Sequence, residues 1–382
     1  MTHPVTFRAR NFRRLKLFEW SPTGTCLLSG ANGAGKTTAL DMLRFLRATF
    51  VSGHEAGFHA ARGGDHFPSR GIGSDELVEF EVVADNVRWT LKLPMSNAGL
   101  KGPYGEELYF EDKLVLRAAA YAETWSLGSR AMPRDDSRCC AKVLWDRGEA
   151  PWMEALFRGL YDLRTYDFFL NQVEQGTTKE DSNSFLHSTG KNLWAVLANW
   201  KQAPLRFRGQ FDWVLARARR AFPDLIDTIE FVGGEAFIFP PGATDPADGF
   251  PPRRQPAGLL TGLLQLTAII GAKRSSILAF DEVENQLHPH AIRSILEAMR
   301  EQSAERDLLI VLTTHSPIVM NEFKGYESGF YLLEPAEGRA VPIALDAARP
   351  EAWLSHFDLG ALYEREKFSA PGEPPHVPTT KP

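Results

Sequence analysis

The chain has 382 residues, enough for one large or two ordinary domains, which excludes peptides and small disulfide scaffolds. Its 43 Lys and Arg against 48 Asp and Glu leave a net charge of −5, so no overall basic field draws it onto nucleic acid or anionic lipid, and any DNA contact must be local. The three cysteines, Cys26, Cys139 and Cys140, are too few and too badly spaced for a disulfide framework or a CxxC zinc site, which fits a reducing compartment and predicts a cytoplasmic address.

In chain order, the charged opening MTHPVTFRARNFRRLK lacks the apolar stretch of a secretory signal. Val5 to Arg10 alternates as a half-buried strand does, and Thr25 to Ser29 reads as a short buried strand entering a glycine-rich loop. A helix follows from Lys36, with Leu40, Leu43, Phe45 and Leu46 on its apolar face and Asp41, Arg44 and Arg47 between them. Residues 52–75 are rich in Gly, Ser and His and read as a loop. ELVEFEVV, NVRWTLKLP and ELYFEDKLVL then predict a three-strand antiparallel meander. Residues 151–225 turn helical, as in KNLWAVLANW and QFDWVLARARRAF, with Pro223 as the stop, and the Pro- and Gly-rich segment 239–258 reads as a long return connection. A helix over 259–271 precedes the buried strands 275–282 and 308–316, with an amphipathic helix carrying Ile292, Ile295, Leu296 and Met299 between them. The apolar stretch 259–272 contains Thr and Gln and falls short of the roughly 18 residues of a membrane span. The proline-rich end predicts a disordered tail.

Three segments carry chemistry. Gly30-Ala31-Asn32-Gly33-Ala34-Gly35-Lys36-Thr37 matches GxxxxGK[ST] between a predicted strand and a predicted helix. Glycines let the backbone curl and present N–H groups to phosphate oxygens, and the helix N-terminus adds partial positive charge. Lys36 would reach the β- and γ-phosphates, the Thr37 hydroxyl would ligate Mg²⁺, and Thr38 can donate on the α-phosphate side. Ile277 to Glu282 is a buried strand ending in two carboxylates at the ligand-binding edge of an open α/β sheet. There Asp281 would hold the metal through water, and Glu282 would orient or deprotonate the attacking water. His315 ends the next buried strand, where a histidine either senses a γ-phosphate or is satisfied by neighbouring backbone; its place one strand after the acidic pair favours the first.

The set GANGAGKTT, ILAFDEVENQLHP and VLTTHSP, in this order and after the opening FRARNFRRLK, resembles the ABC-type ATPase head of the SMC, RecF, RecN and OLD group over nearly the whole chain. The resemblance implies a P-loop α/β fold with an antiparallel β meander and an inserted helical lobe. It divides the chain into an N-terminal part of the ATPase core (1–118), a mainly helical lobe (119–255), a C-terminal part of the core (256–366) and a tail (367–382). It further implies that Glu284, Asn285, Gln286, Leu287, His288 and Pro289 form the D-loop, that His315 is the switch histidine, and that Mg-ATP clamps two heads into a homodimer. The family's Leu-Ser-x-Gly signature aligns with Gln255-Pro256-Ala257-Gly258, so Pro256 stands where a serine would cross to the partner's γ-phosphate and Gly258 alone remains as the nucleotide-binding residue. Gln172 and Gln175 are the two candidates for the Q-loop.

The interval between the two core halves is too short for the coiled coils of SMC and RecN proteins, and too little follows His315 for the nuclease domain of OLD enzymes. The chain therefore resembles the stand-alone ATPases of that group, which work with a separately encoded effector, commonly a nuclease, in bacterial anti-phage defence. A RecF-like repair ATPase and a nucleotide-bound scaffold with little turnover are the rival readings. Arg217, Arg219 and Arg220, with Arg206 and Arg208 and the aromatic residues Phe207, Phe211 and Trp213, form either a face for double-stranded DNA or a solvated helix surface. His288 and His290 with the acidic pair could be drawn as a metal cluster, but His288 falls inside the D-loop pattern; the vicinal cysteines read as small buried residues.

Overall fold

The computed structural model describes the chain apart from residues 1–4, 64–66, 74–75, 97–98, 136, 180–183, 208, 334–339, 349–357, 361–362 and 364–382. The expected disordered tail, 367–382, lies outside the described residues.

Two large sheets organise the molecule. One has eight antiparallel strands in the order Arg130–Pro133, Thr124–Leu127, Lys113–Ala118, Gly105–Phe110, Val87–Leu93, Val78–Ala84, Val5–Phe12, Leu15–Trp20. The other has six, in the order Arg164–Tyr166, Ile277–Phe280, Leu309–Thr313, Thr25–Ser29, Phe330–Leu333, Pro342–Ala344, the first five parallel and the last antiparallel.

The central parallel strands are short and mostly apolar because both of their faces are covered, and alternation along each strand divides the core in two. Cys26, Leu28, Ile277, Ala279, Leu309 and Val311 pack with the helix Lys36–Ser52 and the antiparallel sheet. Leu27, Leu278, Phe280, Ile310 and Leu312 pack instead with the helices Leu193–Gln202, Gln210–Ala221, Ala257–Gly271 and Pro289–Arg306. The largely apolar run LLTGLLQLTAIIG follows from this position, since Ala257–Gly271 is buried along Leu259 to Ile269.

Several expectations need correction. ELYFEDKLVL is not one strand but a hairpin, Gly105–Phe110 to Lys113–Ala118, turning at Glu111 and Asp112 with φ of 49° and 59°. Two left-handed residues are what a two-residue hairpin requires, but neither is the Gly or Asn that announces such a turn. The antiparallel sheet also continues past 118 through Thr124–Leu127 and Arg130–Pro133, so the span 119–255 opens on strands, and it contains the further hairpin Thr228–Val232 to Glu235–Phe239. The loop 52–75 includes a helix, His54–Ala60. Finally, two of the charged residues set between the apolar positions of Lys36–Ser52 are not solvated. Asp41 and Arg44 are buried, and Asp41 accepts from Arg44 Nη1 at 2.8 Å and Arg13 Nη1 at 2.6 Å.

Candidate nucleotide site

Thr25–Ser29, Leu309–Thr313 and Ile277–Phe280 are neighbouring parallel strands, so their C-terminal ends deliver the three predicted motifs to one sheet edge. At the first, Gly33 (φ 80°) and Gly35 (φ 116°) take left-handed conformations that curl residues 30–35 under the start of the helix Lys36–Ser52. That helix has no side-chain cap and no acidic residue in its first turn, so its leading N–H groups and dipole are left for an anion. The Lys36 ammonium donates to the carbonyl oxygens of Gly30 at 2.7 Å and Ala31 at 3.3 Å. Burial lowers its pKa, against the raising fields of Asp281, Glu282 and Glu284, which places Lys36 electrostatically among the acids of the second motif. Thr37 is exposed at the helix start, Thr38 is half-buried behind it, and Ala31 and Asn32 are exposed in the loop, where Ala34 N–H closes a turn onto Ala31 O at 3.0 Å. Arg14 donates to Gly33 O at 3.1 Å from outside the loop.

At the second motif, the register Phe280 to Leu312 sets Thr313 beside Asp281. The Thr313 hydroxyl donates to Asp281 Oδ1 and accepts the backbone N–H of Glu282 at 3.0 Å, so one buried side chain orients both acids. Glu282 holds φ of 49°, a left-handed conformation costly for a non-glycine residue, and projects an exposed carboxylate that accepts from Asn285 Nδ2 at 3.2 Å. Glu284 accepts the His315 backbone N–H at 3.0 Å, and His315 Nδ1 lies 3.2 Å from the Tyr363 hydroxyl. Burial and the Lys36 charge lower the pKa of His315, while Glu282, Glu284 and Asp281 pull it the other way. Thr313, Glu284 and Tyr363 are thus part of the site although no role for Thr313 or Tyr363 was read from the sequence; strand register would have exposed the first, and nothing local signals the second.

The other predicted residues fall as follows. A Cβ on Gly258 would meet the carbonyl oxygen of Gln286 at 2.5 Å, so this glycine lets the helix Ala257–Gly271 rest on the segment expected to be the D-loop of the same chain; Gln286 itself has φ of 65°. Pro256 is the N-cap of that helix and supplies no side-chain cap. A cavity of about 230 Å³ beside Asp281 and Glu282 is lined by Asp167, Leu170, Gln265 and Asn285. Gln172 and Gln175 are exposed and do not line it. Arg217 and Arg220 pair with Glu301 and Glu297 of the neighbouring helix, and Arg219 pairs with Asp227 at 3.1 Å, so their charges are matched within the chain. His288 caps the helix Pro289–Arg306, and His290 Nε2 lies 3.0 Å from Arg220 O. Cys139 and Cys140 are buried, and the Cys139 thiol donates to Glu106 Oε1 at 3.0 Å. No helix among the described residues is long and apolar enough to cross a membrane.

The donor set fits Mg²⁺, which prefers hard oxygen ligands: a threonine hydroxyl, Thr37, and a carboxylate, Asp281, one of whose oxygens is already held by Thr313.

Comparison with solved structures shows the same fold. An SMC head bound to the C-terminal winged-helix domain of ScpA aligns with a TM-score of 0.55 at 12% identity, covering 90% of this chain and 99% of that one. An SMC head with an extended coiled coil, bound to the C-terminal domain of ScpA derived from Pyrococcus furiosus, aligns with a TM-score of 0.51 at 12% identity, covering 91% and 98%. No curated protein sequence matches the chain. A phosphate loop, an acid pair and a histidine on one edge of a parallel sheet accord with the profile that matches residues 27–121 and 155–321, well over half of the chain: the protein belongs to the family described as "AAA domain, putative AbiEii toxin, Type IV TA system".

Proposed function

We propose that the chain is an ATPase that works as a nucleotide-driven dimerisation switch and gates a separately encoded effector, nuclease-like in kind, in bacterial defence against phage. The observation that carries the reading is the Thr313 hydroxyl, which fixes Asp281 and Glu282 together on the edge that also holds Lys36. Backbone N–H groups of residues 33–37 and Lys36 would hold the ATP phosphates, with Thr37 and Asp281 holding Mg²⁺. The metal, when bound, would neutralise charge developing on the phosphates. Glu282 then orients the attacking water and takes its proton, and Asn285 steadies the carboxylate at 3.2 Å. His315, kept neutral by burial and by Lys36, can report loss of the γ-phosphate through Glu284 to the D-loop. The family description speaks of a toxin in a type IV toxin–antitoxin pair, which supports a role in defence alongside a second gene product.

The second reading, a scaffold that binds nucleotide and scarcely turns it over, is favoured by one feature. Pro256 offers no hydroxyl where the family's signature serine would reach across a dimer.

The deciding experiment is ATP turnover of the purified chain beside Glu282→Gln, with and without double-stranded DNA, and with oligomeric state followed by light scattering. Turnover in the wild type, with a nucleotide-dependent dimer trapped by Glu282→Gln, is expected. Normal hydrolysis by the variant removes Glu282 from the mechanism, and nucleotide binding without turnover in the wild type favours the scaffold.

A further inference from the structure

A second cavity, about 350 Å³ in volume, lies between the helix Lys36–Ser52, the edge strand Arg164–Tyr166 and the segment 185–188. Arg44, Arg47 and Arg164 all line it, together with Thr165, His187 and Ser188. The Arg44 side chain is only 9% exposed. Its Nη1 donates to Asp41 at 2.8 Å and its Nε to Thr165 Oγ1 at 3.2 Å, while its Nη2 is buried with no hydrogen-bond partner. Arg47 Nε is likewise buried with no partner. Arg164 donates to the carbonyl oxygens of Tyr161 and Leu163. The one carboxylate on the lining, Asp167, lies 3.4 Å from Arg62.

Three guanidinium groups border one concavity, and two of them, Arg47 and Arg164, form no ion pair among the described residues and repel each other, an arrangement that an anion seated between them would relieve. Burial and the like charge of Arg164 push the Arg47 pKa down to about 10, the mark of a cation short of a counter-ion. Guanidinium forks match the oxygens of phosphate, and Thr165 and Ser188 add hydroxyls.

We propose that this cavity is a second phosphate site, separate from the phosphate loop, and that it takes the phosphate or diphosphate group of a small phosphorylated ligand. A duplex backbone is a poor occupant, because it needs cations displayed along a surface, whereas Arg47 and Arg164 border a single concavity. The site is placed to influence the first one. Arg44 and Arg47 ride on the helix that begins at Lys36, and Asp167 lines both this cavity and the one beside Asp281.

The test titrates inorganic pyrophosphate into full-length Lys36→Ala protein in EDTA, so that the phosphate loop contributes least, and repeats it with Arg47→Gln or Arg164→Gln added. Saturable 1:1 binding is expected, weakened roughly tenfold to a hundredfold by either arginine change, with Arg47→Gln leaving the melting temperature unchanged or raised. Ser188→Glu, an exposed substitution, should weaken binding without threatening the fold. Absence of saturable binding, equal binding by the arginine variants, or binding of a 20-base-pair duplex that pyrophosphate does not displace would each overturn the proposal.

Discussion

Replacing Thr313 with Val keeps the shape of a buried β-branched residue and deletes the one hydroxyl that bonds both acids. Two losses follow. The bond to the Asp281 carboxylate is charge-assisted and is worth about 1.5–3 kcal/mol, and the bond from the Glu282 N–H about 0.5–1.5 kcal/mol. Together they predict a destabilisation of about 2–4.5 kcal/mol, observable as a lower denaturant midpoint with an unchanged slope. The catalytic consequence is separable from the stability loss. Glu282 sits in a left-handed conformation held from its own N–H, so losing that tether lets it relax and misplaces its carboxylate. Thr313→Val should therefore lower kcat at least tenfold while KM for ATP, governed by Lys36 and the loop, moves little. Thr313→Ser should restore most of the turnover, because the hydroxyl is what matters. Full kcat in a folded Thr313→Val protein would refute the reasoning.

Lys36→Ala removes the ammonium that lies among the acids and should weaken ATP binding at least a hundredfold by calorimetry; unchanged affinity would dismiss the phosphate-loop assignment. His315 has its pKa lowered below the ordinary 6.5, so it is neutral at pH 7. Protonation is resisted in the folded state, which means stability and turnover hold above that value and decline as pH falls through it. An acid limb that persists unchanged in His315→Gln would assign the titration elsewhere. Arg217, Arg219 and Arg220 changed together to Glu should lower the melting temperature, because three matched charges become repulsive contacts with Glu301, Asp227 and Glu297. A loss of salt-dependent DNA binding with no loss of stability would instead revive the DNA-face reading.

Much of the site was legible because its three motifs each end a strand whose apolar run marks it as doubly covered. Strand, then glycines, then Lys36 is a local pattern, and so is Ile277 to Phe280 followed by two acids. What escaped the sequence is pairing between distant segments. Thr313 acquires its role only from the Phe280 to Leu312 register, and Tyr363 only from a return of the chain to His315. Likewise Asp41 and Arg44 read as a polar helix face, because nothing near them announces Arg13 as the buried partner. The antiparallel sheet was undercounted for a different reason: Glu111 and Asp112 form the turn without a glycine or asparagine, so a hairpin passed for one long strand.

Gly258 shows how a residue that aligns with a motif can be ambiguous in meaning. Its missing side chain is required within the chain, where a Cβ would lie 2.5 Å from the Gln286 carbonyl oxygen. Its presence is therefore explained by packing against the D-loop whether or not a dimer forms. Pro256 has no such internal demand: it is the N-cap of the helix, just before the first turn, and supplies none of the side-chain capping that a serine can give there. The dimer contact, if made from this helix, must then rely on backbone N–H groups at the start of Ala257–Gly271, and these act at shorter reach than a serine side chain. The proposed switch would then close more weakly than one with a full signature.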